Sequence, residues 1–598
     1  MSEISNPSEV KSQALPADTT EKGEVLSDRR GHSRRLFLAG ASTAGIGAAF
    51  LGTLGATPAK AKDIGPLRPS QRKLRSYQIR VNAAKAELDV PVPKHPTNGD
   101  ETKYPNFIGN FSKGLPHDNL GQVDPNAYNS LINALTTGNP ADFESIQIGL
   151  GRPLVNPQAA LAFDLQGTDS HQLAILPAPG VATAETVGEM VEMYWHAALR
   201  DVPASEFEDG TTNALVLAAV EDLNKLSIFR GPRNNGLITP GTLFRGNAAY
   251  INSDVDPTGK TGRYVTPPGV LTGPYFSQFF WLNSPFGANF VSQQMLTAVA
   301  GVDYMSTFDE WLLVQNGGSS GKSQQYDPVR RYITNGRDIG QWVHVDVLFQ
   351  AYFVACLTLL GGTNNPDAFA NGIGAPPNPG NPYNGSKTQI GFGTFGPPYF
   401  INLVSEVATR ALKAVWFQKW AVHRRLRPEA YGGLVYNNYV NGSSYPISDE
   451  LFNSAGFANF KNTTGGLLPM AFPEGSPTHP AYGAGHATVA AACVTILKAV
   501  FDENYVIAKP VLPNPSDPTQ LIPYEGPALT IGGELNKLAA NVAIGRNFAG
   551  VHWRSDAASS LPLGEALAIS ILRDQKGTYN EAFNGFTFTK FDGSTITI

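Results

Sequence analysis

Two histidines and three basic residues could do chemistry on an anion, and they fall in three separated segments of the 598-residue chain. The first is the turn Ser476-Pro-Thr-His-Pro-Ala-Tyr-Gly-Ala-Gly-His486, which runs directly into an apolar stretch of helical period, Ala487 to Val500. The first N–H groups of a helix have no internal partner and the helix dipole is positive there, so backbone alone can hold an oxyanion at such a start. Glycines at 483 and 485 let that backbone come close to a ligand. His486 is in phase with Val489, Ala490 and Cys493, which predicts that it points into the interior. Taken alone, this is also the pattern of a hydrogen-bonded core histidine.

The second segment, Leu403 to Arg427, reads as one helix with an apolar stripe at Val404, Val407, Ala408, Ala411, Leu412 and Val415. Lys419 falls in register with that stripe, and a buried lysine calls for an anion. His423 and Arg427 follow at intervals of four on the same side, with Pro428 ending the helix. A snorkelling lysine on a basic helix end gives the same pattern. The third segment is Gly545-Arg546-Asn-Phe-Ala-Gly550-Val-His552-Trp-Arg-Ser-Asp556. Arg546 and His552 would face different sides of an unbroken helix, and Gly550 can break it and bring both to one pocket. Asp556, four residues after His552, can accept one ring N–H and fix which nitrogen faces the site. A surface arginine and a capping aspartate are the plainer alternative.

The elements that must position these groups are mainly helical. Further helices are predicted at Ser70–Leu88, Ala184–Asp201 and Thr211–Leu226, and one long buried helix at Ile339–Leu360 that carries His344, Asp346 and Gln350. The burial of Asp346 makes it a candidate partner of Arg546 or of another basic group at the site. Residues 363–399, about 431–469 and about 502–529 read as long loops, and Gly273 to Phe280 as aromatic core. Charged residues make up 16% of the chain, against a typical ~25%. With 61 Gly and 45 Pro, this implies a large packed interior, rigid irregular loops and surface buried between subunits of a homo-oligomer. A net charge of -5 gives no footprint for nucleic acid. The two cysteines, Cys356 and Cys493, lie in apolar helical runs and are expected as buried thiols. Ser33-Arg-Arg-Leu-Phe-Leu38, an apolar Gly/Ala stretch and Ala59-Lys-Ala61 look like a twin-arginine export signal over 1–61, which implies a periplasmic or extracellular mature protein with no membrane anchor.

The three segments together resemble the type 2 phosphatidic acid phosphatase superfamily, whose pattern is Lys, then Arg-Pro, then Pro-Ser-Gly-His, then Ser-Arg followed by Gly, His and Asp. Within it, the chain is similar to the vanadium-dependent haloperoxidases. Seven residues separate Lys419 from Arg427, one more than the usual phosphatase spacing. The words Lys419-Trp-Ala-Val-His-Arg-Arg-Leu-Arg-Pro-Glu-Ala430, Trp342-Val-His-Val-Asp-Val-Leu-Phe-Gln-Ala-Tyr352 and Ser476-Pro-Thr-His-Pro-Ala-Tyr482 look like algal and cyanobacterial bromoperoxidases. The resemblance implies an all-α fold of two four-helix bundles. It divides the mature chain into an irregular arm at 62–180, an N-terminal bundle at 181–362, a Gly/Pro-rich loop at 363–399 and a C-terminal bundle with the site at 400–598.

It also implies vanadate as cofactor. His552 would bind the vanadium, Lys419, Arg427, Arg546 and the Gly485 N–H would neutralise the oxyanion, and His486 would be the acid–base. Hydrogen peroxide, a halide and small organic molecules are the implied reactants, hypohalous acid the product, and a structural Ca²⁺ an additional expectation. His479 stands where bromoperoxidases carry a second histidine and Trp416 where fungal chloroperoxidases carry tryptophan, so the two point to different halides. Ala484 departs from the family serine, which removes a hydroxyl from the oxyanion and implies looser cofactor binding. An exported acid phosphatase, in which His552 would form a phosphoenzyme, is the alternative.

Overall fold

In a computed structural model of the protein, residues 65–252, 259, 261–361 and 372–598 are described. The export signal at 1–61 and the start of the 363–399 loop lie outside these residues. The described residues fall into two units divided between Ser76 and Tyr77. The first contributes the opening turns of the helix Pro69–Leu88. The second, Tyr77–Ile598, carries the core and every candidate site residue.

The hub is the helix Gly485–Val500, in which every residue after His486 is buried. Helices Pro397–Trp416, Ile531–Phe548 and Arg554–Lys576 pack against it. Small residues allow the closest of these contacts: a Cβ at Gly564 would stand 2.0 Å from the Thr488 carbonyl oxygen and 2.9 Å from the Ala491 side chain. The largest core cluster runs from Val191 to Ile598, so the region 181–361 and the region 400–598 share one continuous core. A buried ion pair between Arg554 and Glu192, on the helix Ala184–Leu199, joins them as well. Strands occur among the described residues only as two-stranded antiparallel pairs. No single described helix is long and apolar enough to cross a membrane. Cys356 and Cys493 are free and buried, and Tyr275, Phe276, Phe279 and Phe280 lie in the core.

Several expectations are corrected. The predicted helix Ile339–Leu360 is two helices, Gly336–Val345 and Gln350–Leu360, bent by 100° around 346–349. The predicted helix to Arg427 ends at Trp416 and continues as one wide π turn, Phe417–His423, which closes with Arg424 at φ 39°. Pro428 starts a helix, Pro428–Val440, where the sequence predicts a loop from about 431. Proline's missing N–H costs nothing in the first turn of a helix, so the residue marks a beginning as readily as an end. Residues 62–180 are not simply irregular: the helix Pro125–Thr137 buries Tyr128 and Leu131 in a cluster with Trp416 and Trp420. The loop expected at 502–529 contains the hairpin Val511–Asn514/Asp517–Pro523.

Candidate functional site

The π turn and the extended residues after it place the basic groups. A π turn adds one residue to the turn and rotates the chain beyond it. Arg425 then pairs with Asn110 as an isolated bridge, and its carbonyl accepts from Ala481 N. Lys419 is thereby sunk beneath the 476–486 turn, where its Nζ donates to Pro480 O (2.8 Å) and Ala481 O (3.0 Å). Arg427 lies alongside: its Nε and Nη2 both donate to His479 O (3.0 and 2.9 Å), and its Nη1 donates to Val551 O (2.6 Å). His423 is not part of this group. It is buried edge-on to Tyr482, ring centroids 4.9 Å apart.

Gly550, at φ +87°, ends the helix that carries Arg546 and turns the chain so that His552 faces the same cavity. Arg546 Nη1 donates to Val343 O (2.6 Å), while its Nε is buried with no partner. Asp556 Oδ2 accepts from His552 Nδ1 (2.8 Å) and from Trp553 N (3.0 Å). The proton on Nδ1 leaves Nε2 as a bare acceptor, and Arg427 Nη1 approaches it at 3.0 Å.

His486 is the exception to the inward reading. Its side chain is 21% exposed on a cavity of about 480 Å³, not packed in the core, and its Nε2 lies 3.0 Å from Asp346 Oδ1. The bend at 346–349 is what aims Asp346 there. Asp346 therefore partners His486 by hydrogen bond, and Arg546 only through its charge. Trp416 and His479 also line the cavity, with ring centroids 4.9 Å apart, and Lys419 Nζ is 5.8 Å from the Trp416 ring centroid. The Gly485 N–H opens the hub helix at the cavity, because Ala484 occupies the N-cap position and supplies no side-chain cap.

Sequence reasoning missed Arg425. This buried cation bonds Asp556 Oδ1 (3.0 Å), Ser555 Oγ (2.8 Å) and Glu189 Oε2 (2.8 Å), and so holds the carboxylate that orients His552. The run of arginines at 424, 425 and 427 was the only signal, and it cannot say which one turns inward.

The electrostatics are those of a cage for an anion. Among the described residues no carboxylate lies within ion-pair distance of Lys419, Arg427 or Arg546. Burial, reinforced by Arg427, pushes the Lys419 ammonium well below its ordinary range. Burial pushes Arg427 down to about 9 and Arg546 to about 10. His479 and His552 are also pushed well down, by burial first and by the neighbouring cations second, which keeps their rings neutral. Burial raises Asp346, but the charges of His486 and Arg546 outweigh it and hold the carboxyl below its usual range.

A helical core that closes three cations and two histidines over one helix start defines a protein built to hold an oxyanion. The family model of the VCPO second helical-bundle domain matches residues 404–580. Vanadium-dependent bromoperoxidases of Corallina pilulifera and Ascophyllum nodosum are 37% and 34% identical, over 88% and 89% of this chain and 98% and 93% of theirs. The solved structure of a homohexameric vanadate-dependent bromoperoxidase of Ascophyllum nodosum superposes with a TM-score of 0.79 at 31% identity, covering 92% of this chain and 94% of that one. The chain belongs to the vanadium-dependent bromoperoxidase family.

Proposed function

We propose that the protein is a vanadate-dependent haloperoxidase that oxidises bromide, and with it iodide, using hydrogen peroxide. The observation that carries the reading is His552, neutral, with Nδ1–H committed to Asp556 and an unprotonated Nε2 that faces the cations, 3.0 Å from Arg427 Nη1. An imidazole that gives its other ring N–H to a carboxylate is the usual form of a metal-ligating histidine. The unpartnered Arg546 Nε and the Gly485 N–H supply donors for its oxygens. When bound, vanadate supplies a Lewis-acid centre that activates peroxide without changing its own oxidation state.

The chain's own groups do the rest. Lys419, Arg427 and Arg546 neutralise the oxyanion and lose the burial penalty that depresses them. His486, with Nε2 engaged by Asp346, keeps Nδ1 to exchange a proton. In the net reaction bromide gives up two electrons, the O–O bond accepts them and breaks, and one proton is taken up, giving hypobromous acid and water. His479 and Trp416 pack side by side in the cavity lining, so the histidine and the indole both bear on the halide, and chloride oxidation is a question for the same assay. Hypohalous acid then halogenates small organic substrates.

The test is to reconstitute apoprotein with vanadate and assay peroxide-dependent bromination of a dye beside hydrolysis of a phosphoester. Vanadate-dependent bromination that phosphate suppresses supports the reading; vanadate-inhibited phosphoester hydrolysis without bromination selects the acid phosphatase instead.

Ala484 offers a further check. Restoring the family hydroxyl with Ala484→Ser adds an N-cap oxygen to the hub helix, worth about 1 kcal/mol of stability. If the hydroxyl also reaches the oxyanion, it adds about 1.5 kcal/mol or more, roughly tenfold in vanadate affinity. A vanadate titration of apoprotein measures the second effect, and unchanged affinity would assign the residue to capping alone.

We also propose export through the twin-arginine segment, to be checked by fractionating cells that carry Arg34→Lys/Arg35→Lys. A homo-oligomer, for which the homohexameric relative is the precedent, is checked by sedimentation velocity. A structural Ca²⁺, whose ligands can include backbone carbonyls, is checked by calcium analysis of the purified protein.

A further inference from the structure

The cavity holds a second polar cluster that the reaction does not use. His344 Nε2 and Glu474 Oε1 are 2.6 Å apart, and both residues line the same cavity as His486 and His552. The pair is rigid. The His344 ring stacks on Phe472 with centroids 3.7 Å apart and planes within 10°. The Glu474 carbonyl accepts from Lys113 Nζ (2.8 Å) and Arg152 Nη1 (3.1 Å), and two residues on, Ser476 N donates to the buried carboxylate of Glu429.

The pair sits toward solvent relative to the cage: the Glu474 side chain is 37% exposed and that of His552 only 2%. Its carboxylate stays charged: burial raises the Glu474 carboxyl, but the hydrogen bond and charge of His344 outweigh it and hold it below its ordinary range. The mouth of a strongly cationic cavity thus carries a carboxylate fixed by built structure, with the Arg152 guanidinium beside its backbone.

We infer that the Glu474–His344 pair is a charge filter that ranks entrants before they reach the cage. Coulomb energy scales with the product of charges. A factor that slows a singly charged anion is therefore squared for a doubly charged one at the same place and is absent for a neutral molecule. Hydrogen peroxide passes unhindered, bromide is slowed modestly, and multiply charged oxyanions such as phosphate, which compete for the same cage, are slowed most. Loading of vanadate is slowed too, which matters once per enzyme and not once per turnover. The bromide arm of this inference rests on the proposed haloperoxidase function, and the phosphate arm does not.

The experiment uses full-length Glu474→Gln, which keeps the volume and an oxygen for His344 but removes the charge. Association of inorganic phosphate with apoprotein is followed by stopped-flow tryptophan fluorescence at mildly alkaline pH, with Trp416 as the reporter in the cavity. Steady-state kcat/KM is measured for bromide and for peroxide after vanadate loading. We expect about a threefold rise for bromide, roughly its square for phosphate, and a change for peroxide well below either. Glu474→Asp should return the wild-type order, and high inert salt should shift the wild type toward the Gln variant. Equal factors for phosphate and bromide, or no change in either, would overturn the filter. A wild type that brominates nothing would instead overturn the haloperoxidase reading, with the phosphate arm still reporting on the filter.

Discussion

His552→Ala is expected to fold and to lose vanadate binding altogether on any practical scale. Groups that merely orient a metal ligand are worth about 10- to 100-fold in affinity, so removing the ligand should exceed the upper end of that range. Bromination should fall in proportion, because His552 is the imidazole whose Nδ1 is held by Asp556 with Nε2 turned to Arg427, whereas His479 Nδ1 lies between Arg427 Nη2 at 3.0 Å and Pro480 O at 3.2 Å and His486 pairs with Asp346. The fold should survive, since Asp556 keeps Arg425 and the Trp553 N–H after the imidazole is gone. Equilibrium dialysis of vanadate against the apo variant, beside its far-UV circular dichroism, separates the two effects. Vanadate affinity within tenfold of wild type in folded His552→Ala would mean that the three cations hold the anion by charge alone and that the histidine is not its ligand.

How much of this was legible in the sequence depends on how local each feature is. The helix start at Gly485, the break at Gly550 and the pairing of His552 with Asp556 are set by residues within a few positions of one another, and each stands where spacing and glycine chemistry placed it. The three-segment pattern then supplied the one long-range fact that mattered, that Lys419, Arg427, Arg546 and the two histidines meet. What was not legible is geometry that periodicity cannot encode. Two apolar helices bent by 100° read like one straight helix, because both are buried along most of their length. The bend is nevertheless what delivers Asp346 to His486. The π turn at Phe417–His423 is likewise invisible in hydrophobic pattern, yet it separates Lys419 and Arg427 from His423, which an unbroken helix would have kept on their side. The inward turn of Arg425 depends on Glu189, more than two hundred residues away, and no local signal carries it.

That arginine makes the second large prediction. Arg425 sits between two buried carboxylates, Asp556 and Glu189, each essentially inaccessible. Removing one partner from a buried ion network leaves the others uncompensated, so Arg425→Ala should cost about 3 to 5 kcal/mol of stability. The loss should depend on pH, with a sign set by Asp556. Burial raises that carboxyl from its ordinary 3.8 to about 6 even with Arg425 and the Trp553 N–H favouring its charged form. Between those values the folded chain holds a proton that the unfolded chain has released, so this group's contribution to stability falls as pH rises through the window. Without Arg425 the folded value moves higher still and the window extends upward. The stability deficit of Arg425→Ala should therefore be smallest in mild acid, where Asp556 is protonated, and grow toward neutral and alkaline pH. Urea unfolding of wild type and variant at a series of pH values measures it. Because a protonated Asp556 is a poorer acceptor for His552 Nδ1–H, vanadate affinity should weaken by about 10- to 100-fold along with it. A variant whose stability deficit is flat with pH, or which binds vanadate like the wild type, would show that Asp556 holds its charge and its histidine without help from Arg425.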